Sequence, residues 1–468
     1  MAAVSISLSQ NMASAIMQQL ASPDRDTIAD DFQLFFGAAF GFALNHGANN
    51  TASNTANGLV LAYADGASST ISDVAAGADG KTTASGFTYQ QPGLFNMHLG
   101  GSFSYNYNLL GGALSLLNSD ANLTSGSFKT TYASTDPNYD PLLGNGTISF
   151  QGQVHSAAGS DFSGVITSIT AAGEHVLASG EATGTFNVSG NGLKVGALQA
   201  SPDVSGILNG YHEHFDDGSS VTIDNAQIAV ASATTIDDSL VLNGANFAGN
   251  DVFTITLPSN LSTPWAINAG AGNDKIILNG GSVVVDGGAG ADTVALSGTQ
   301  ASYTITNSGS GSFTVRAADG ATATLANVER LQFSDTAVAY DTDGAAGQIY
   351  RLYQAAFDRT ADTGGLGFWI KAMDNGLSLH DVAYGFTQSA EFHAIFGQSP
   401  SNANIVNHLY QNALHRTGEA SGVAFWLNLL DTHQLSIADV MIGFSESPES
   451  HAGVASVIGN GIIYTSYG

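Results

Sequence analysis

Ala269-Gly-Ala-Gly-Asn-Asp-Lys-Ile-Ile277 and Gly287-Gly-Ala-Gly-Ala-Asp-Thr-Val-Ala295 decide how the middle of this chain folds. Both follow the nine-residue pattern G-G-x-G-x-D-x-U-x of parallel β-rolls. The second copy fits throughout; the first departs only at Ala269. Their aspartates stand 18 residues apart, twice nine. If nine residues make half a coil, both glycine turns fall on the same side, one coil apart. Leu278–Asp286 then makes the opposite half. That middle stretch lacks a Gly-x-Asp turn, because Gly280-Gly281-Ser282 is followed by valines.

The residue types carry a chemistry. Glycines let a tight turn take positive φ and bring carbonyl oxygens together. Asp274 and Asp292 add hard carboxylate donors. Calcium takes about 6–8 oxygens, more than one turn supplies but within reach of two stacked turns. The set expected to hold Ca2+ is Ala269, Gly270, Gly272 and Asp274 with Gly287, Gly288, Gly290 and Asp292. Ile276 and Val294 point inward as an apolar ladder. One calcium is expected on this side and none opposite; a glycine-turn ladder without metal is the alternative. A poorer copy, Ala248-Gly-Asn-Asp-Val-Phe253, places Asp251 out of register with the other two, as a weak second site or an ordinary turn.

These repeats resemble those of the RTX (repeats-in-toxin) proteins that bacteria export by type I secretion. Asn327-Val-Glu-Arg-Leu-Gln-Phe-Ser-Asp335 is similar to the β-segment that follows short blocks of such repeats. Asp341-Thr-Asp-Gly-Ala-Ala-Gly-Gln-Ile-Tyr-Arg-Leu-Tyr-Gln-Ala-Ala-Phe-Asp-Arg359 resembles an uncharacterised helical domain near the C-terminus of many of them. The likeness covers about residues 245–455 and says little about residues 1–240. It implies export by the type I secretion machinery, with the signal at the C-terminus.

Composition agrees with a protein outside the cell. The chain has 468 residues with 39 acidic and 11 basic side chains, a net charge of −28. Nucleic acid is an unsuitable partner, since binding it needs basic patches. Anionic membrane surfaces are disfavoured for the same reason. The Phe35–Leu44 run is too short and glycine-broken to span a bilayer. Charged residues make up only 11% of the chain, so Ser, Thr, Asn and Gly must cover most of the surface. Cysteine is absent, so packing, hydrogen bonds and metal must supply the stability. The N-terminus lacks the basic and apolar stretches of a Sec signal.

The expected fold is mainly β with α-helical ends. Residues 1–50 form an N-terminal helical segment, with two helices over 9–45. Met12, Ile16, Met17 and Leu20 recur at helical spacing, and Ser22-Pro23-Asp24 starts the second helix. Ile28, Phe32, Phe35, Phe36 and Phe40 give that helix an apolar face, for core packing or a subunit contact. Residues 51–240 form a β-rich domain, a β-sandwich or a β-solenoid, with alternation in Gly146-Thr-Ile-Ser-Phe-Gln-Gly-Gln-Val154 and Leu94-Phe-Asn-Met-His-Leu99. The roll takes 241–298, a β-segment 299–341 and a tail 458–468.

Residues 342–457 form a duplicated helical domain. Leu352-Tyr-Gln354, Arg359-Thr360 and Phe368-Trp369 recur 57 residues on as Leu409-Tyr-Gln411, Arg416-Thr417 and Phe425-Trp426. One more residue of offset matches Asp381-Val382, Gly385-Phe386, Ser389, Glu391 and His393 to Asp439-Val440, Gly443-Phe444, Ser447, Glu449 and His451. Leu352, Ala356, Trp369, Val382 and Phe386 are the expected core of one copy. Asp362 and Glu419 precede a helix N-terminus, where acidic groups are favoured.

Other candidates are weaker. Asp341-x-Asp343-Gly344 is part of a calcium loop pattern, but Ala345 stands at the third acidic position, so capping of the next helix competes with metal. His212 and His214 share a strand face near Asp216, as a transition-metal pair or as ordinary surface histidines. The zincin, nucleophile-elbow and P-loop motifs are missing, as is a cysteine nucleophile. The chain is therefore expected to be a secreted, calcium-stabilised structural protein of the bacterial surface or extracellular matrix, self-assembling like an S-layer or filament. A secreted adhesin or glycan-binding protein is one alternative, and a carbohydrate-active enzyme with a motif-free carboxylate pair is another.

Overall fold

Alternating apolar and polar residues become strands along most of 50–230. The computed structural model describes residues 3–7, the strands and several turns of 50–230, residue 244 and, with short gaps, 247–467. The two helices expected over 9–45 lie outside the described residues. Contacts divide the chain into two compact units, residues 1–268 with 280–282, and residues 269–279 with 283–468.

Most of the first unit is an antiparallel meander. Its strands are β1 (Ala3–Ser7), β2 (Asn50–Thr55), β3 (Gly58–Tyr63), β4 (Ser68–Ser72), β5 (Ala75–Ala76), β6 (Thr82–Gln91), β7 (Phe95–Tyr105) and β8 (Asp120–Thr130). β9 (Gly146–Ser156), β10 (Ser163–Leu177), β11 (Gly180–Gly196), β12 (Asp203–Phe215), β13 (Ser220–Val230), β14 (Val252–Thr256) and β15 (Trp265–Asn268) follow. From β2 to β13 each strand pairs antiparallel with the next, except that β4 and the short β5 both lie on β6. The antiparallel pairing departs from the parallel coils of a solenoid. One face is apolar, with Phe87, Tyr89, Met97, Leu99, Phe150 and Ile166 buried at alternate positions.

β1 is a strand inside the segment 1–50, ahead of the two helices expected over 9–45. It pairs antiparallel with β13 and parallel with β14. Val4 faces Ile223 and Phe253 across the two ladders, and Ile6 faces Val221 and Ile255. All six are buried, each contributing roughly 1.5–3 kcal/mol. Five alternating residues bear no mark of partners more than 200 positions away, and the Thr222 hydroxyl donates to the Ser5 carbonyl across 217 residues.

In the second unit, β16 (Lys275–Asn279), β18 (Thr293–Leu296) and β22 (Arg330–Gln332) stack in parallel. β17 (Val283–Asp286) pairs in parallel with β21 (Thr322–Ala326). Ile276, Val294 and Leu331 share one register position and are all buried, the inward ladder the repeats imply. The roll therefore has a third coil, beyond the end at residue 298 that the repeats suggest. A hairpin of β19 (Tyr303–Gly309) and β20 (Ser312–Ala317) interrupts that coil, and β20 pairs antiparallel with β21. β23 (Ala337–Ala339) and β24 (Ile462–Tyr464) extend the β22 edge, so the tail is in part a strand.

Eight helices follow: α1 (Ala345–Phe357), α2 (Thr363–Asp374), α3 (Leu379–Thr387), α4 (Ala390–Phe396), α5 (Asn402–Leu414), α6 (Ala420–Asp431), α7 (Ile437–Ser445) and α8 (Pro448–Ile458). They form the two copies that the offset implies. Equivalent helices pack on each other, α1 on α5 and α3 on α7. The Asn412 side chain donates to the Ala355 carbonyl at 3.2 Å, a bond between positions related by the repeat. Leu352, Ala356, Val382 and Phe386 are buried, with Trp369 partly buried against them. Ser378 with Asp381, and Ser436 with Asp439, form matching capping boxes. Arg359 grips Glu391 and Arg416 grips Glu449, each through two nitrogens. The copies differ at one cap. Asp362 accepts from the Gly365 amide, whereas the longer Glu419 turns to Arg416 instead.

Candidate metal centre

The glycine turns stack as the sequence requires. The Ala289 amide donates to Gly270 O at 3.0 Å, and the Gly272 amide to Ala289 O at 2.7 Å. Close stacking is what the second-turn glycines permit. Gly288 has φ +94 and Gly290 φ +143, and a Cβ on either would collide with the Gly270 or Gly272 carbonyl oxygen. Thus Ala269, Gly270 and Gly272 lie in the turn stacked on Gly287, Gly288 and Gly290.

Asp274 and Asp292 end these turns and turn inward, with 2% and 0% of their surface exposed. The Asp274 amide donates to Asp292 Oδ1 at 2.8 Å. The Asp292 amide donates in turn to Glu329 Oε2, also at 2.8 Å. Glu329 thus stands in the third coil where Asp292 stands in the second. Asp292 Oδ2 is buried without a hydrogen-bond partner.

Burial pushes the Asp292 carboxyl up to about 7; its bond to the Asp274 amide opposes this, and the charges of Asp274, Glu329 and Asp286 add to it. Burial likewise raises Glu329, against the bond it accepts from the Asp292 amide. A buried carboxylate among other carboxylates calls for a proton or a cation. The donor set therefore fits a hard divalent cation: carboxylates with turn carbonyls and no sulfur or imidazole. Among the described residues no three His, Asp or Glu side chains converge as a ready-made ligand group. Backbone carbonyls of the turns would have to supply most of the donors.

Glu329 was not among the residues singled out from the sequence. Its signal is present but displaced. Asp274-Lys275-Ile276, Asp292-Thr293-Val294 and Glu329-Arg330-Leu331 share one register. The inserted hairpin stretches the second step from 18 to 37 residues and hides the repeat.

Beside Glu329, Arg330 is buried and joins the roll to the helices. It binds Asp341 through Nε and Nη2, and Asp374 at the end of α2 through Nη1 and Nη2. Burial alone would lower its pKa; Asp341 and Asp374 more than reverse this. Asp341 also accepts from the Ala346 amide in the first turn of α1 at 3.1 Å. It is engaged as a cap and ion-pair partner. Asp343 is 88% exposed, 3.4 Å from His451. Asp251 is buried at the start of β14, in the other compact unit. His212 binds Asp224 Oδ1 at 2.7 Å, while the His214 side chain lies outside the described residues.

The helical domain matches the model of a domain of unknown function (DUF4214) twice, over residues 339–396 and 383–454. The first match spans the first copy, the second runs from within α3 through most of the second copy, and together they bear out the likeness to an uncharacterised domain. No curated protein matches the chain. Among the described residues no helix is long and apolar enough to cross a membrane.

Proposed function

We propose that this chain is a secreted structural protein of the bacterial surface or extracellular matrix, of the RTX type, whose roll is stabilised by calcium. The observation that carries the reading is the pair of stacked glycine turns that bury Asp274 and Asp292 against each other. Those carboxylates, with carbonyls of the turns from Ala269 to Asp274 and Gly287 to Asp292, would hold the ion. Calcium supplies the positive charge that the buried carboxylates lack.

Calcium is scarce inside cells and abundant outside. An ion that binds only the folded roll stabilises it by mass action, so the chain would leave through a type I exporter unfolded and order afterwards. Self-assembly is supported by the helical domain, where Phe368 and Phe425 occupy equivalent positions and are 56% and 57% exposed. Calcium would also weaken repulsion between chains of net charge −28.

Two measurements test this. In the first, Asp274→Ala combined with Asp292→Ala is melted with and without calcium; a calcium-induced rise equal to that of the unmodified chain removes the site. In the second, electron microscopy of the protein with calcium and with EGTA should show sheets or filaments only with calcium. Dispersed particles in both conditions would remove the assembly reading.

A further inference from the structure

We infer that a second site for a hard divalent cation lies between the second and third coils, with the carboxylates of Asp292 and Glu329 and the carbonyl oxygen of Asn327 as donors. The inference rests on the calcium roll proposed above and extends it into a coil that carries no repeat motif.

Three observations point there. The first is the repeated bond: the Asp274 amide is held by the carboxylate one coil on, and the Asp292 amide is held the same way by Glu329. The amide–carboxylate bond of the first step recurs at the second, with glutamate in place of aspartate. The second is the direction of Asp292. Its Oδ1 faces the first coil, and its Oδ2 is fully buried with no hydrogen-bond partner. A Cβ built on Gly287 would run into Asn327 O and stand 2.7 Å from Asp292 Oδ2. Two oxygens of the second and third coils therefore converge on the open face of a glycine. Oxygen acceptors gather in that way around a cation.

The third observation is how the short third turn is completed. Asn327 adopts φ 51, in the left-handed region, and its side chain donates to Asp286 Oδ1 at 2.8 Å. The Val328 amide donates to Gly311 O at 3.0 Å. The tip of the inserted hairpin thus stands in for the missing turn residues. Beside it a cavity of about 460 Å³, lined by Asn307, Gly311, Glu329, Asp341 and Asp343 among others, leaves room for water. Three protein oxygens with several waters make a normal shell for calcium.

The test is calcium titration of the full chain by calorimetry, after stripping with chelator. The unmodified chain should bind one more calcium than Glu329→Gln, which keeps an oxygen for the Asp292 amide but loses the charge. Glu329→Asp should restore that equivalent at an affinity weakened by about tenfold. It also serves as the probe if Glu329→Gln does not fold. Unchanged number and affinity in these variants, together with a lost equivalent in Asp274→Asn, would overturn the second site and leave the first standing. No binding by the unmodified chain would overturn both.

Discussion

Replacing Asp292 by asparagine should stabilise the calcium-free protein while abolishing much of its response to calcium. The side chain is fully buried, and its carboxyl titrates at about 7 in place of 3.8. At about 1.4 kcal/mol for each tenfold change in proton affinity, folding with Asp292 ionised costs up to about 4 kcal/mol at pH 8. Asparagine has the same shape and no charge. Its oxygen can still accept from the Asp274 amide. A domain of this size shifts by about 2–4 °C per kcal/mol. Relief of even half the limit therefore raises the melting temperature in EGTA by about 4–8 °C. Calcium should then add little, because a shared ligand charge is gone. Thermal unfolding at pH 8, with EGTA and with excess calcium, measures both effects. A variant that melts below the unmodified protein in EGTA would show that burial of this carboxylate is not a cost. An undiminished calcium increment would show that Asp292 is not a ligand.

Three other outcomes follow from the same geometry. Arg330→Ala leaves the buried Asp341 carboxylate and the partly exposed Asp374 without their cation, so urea unfolding should show a loss of about 3 kcal/mol. Ser436→Ala removes the hydroxyl that caps α7 and should cost about 1 kcal/mol, read from the same denaturation curve. The two halves of the second unit should respond to pH in opposite directions. Hydrogen bonds from Ser378 and Ser436 hold Asp381 and Asp439 below 3.8, and the arginine pairs hold Glu391 and Glu449 below 4.5. Depressed values add stability above the ordinary carboxylate range, and it is lost as pH falls through the folded values. Asp292 is raised, so the folded roll takes up a proton between 3.8 and about 7. Its calcium-free stability therefore falls as pH rises through that window. Amide hydrogen exchange in EGTA should show the roll loosening from pH 5 to pH 8 and the helices loosening only below about pH 4. Roll protection that rises with pH would refute this.

Local spacing made some features readable and left others hidden. The helical copies were legible because their whole pattern recurs with one small shift, down to Arg359 and Glu391 against Arg416 and Glu449. The glycine turns were legible because positive φ and close backbone approach leave few residue choices. Alternation revealed the strands of 50–230 but not their pairing, because a period of two is the same in a sandwich, a solenoid or a meander. Glu329 was hidden by the hairpin between it and its register partners. Arg330 gave no sign of joining roll to helices, since Asp341 and Asp374 lie 11 and 44 residues away.

By itself, then, the sequence determined what depends on neighbours along the chain: turns, caps, the duplicated helices, and the aspartates of the first two coils. Tertiary structure alone decided what depends on neighbours in space. It seated β1 between β13 and β14, extended the roll to a third coil, and set Asp292 between Asp274 and Glu329. The physical reason is that backbone conformation is chosen locally, whereas burial and the convergence of charge arise only after distant segments have packed.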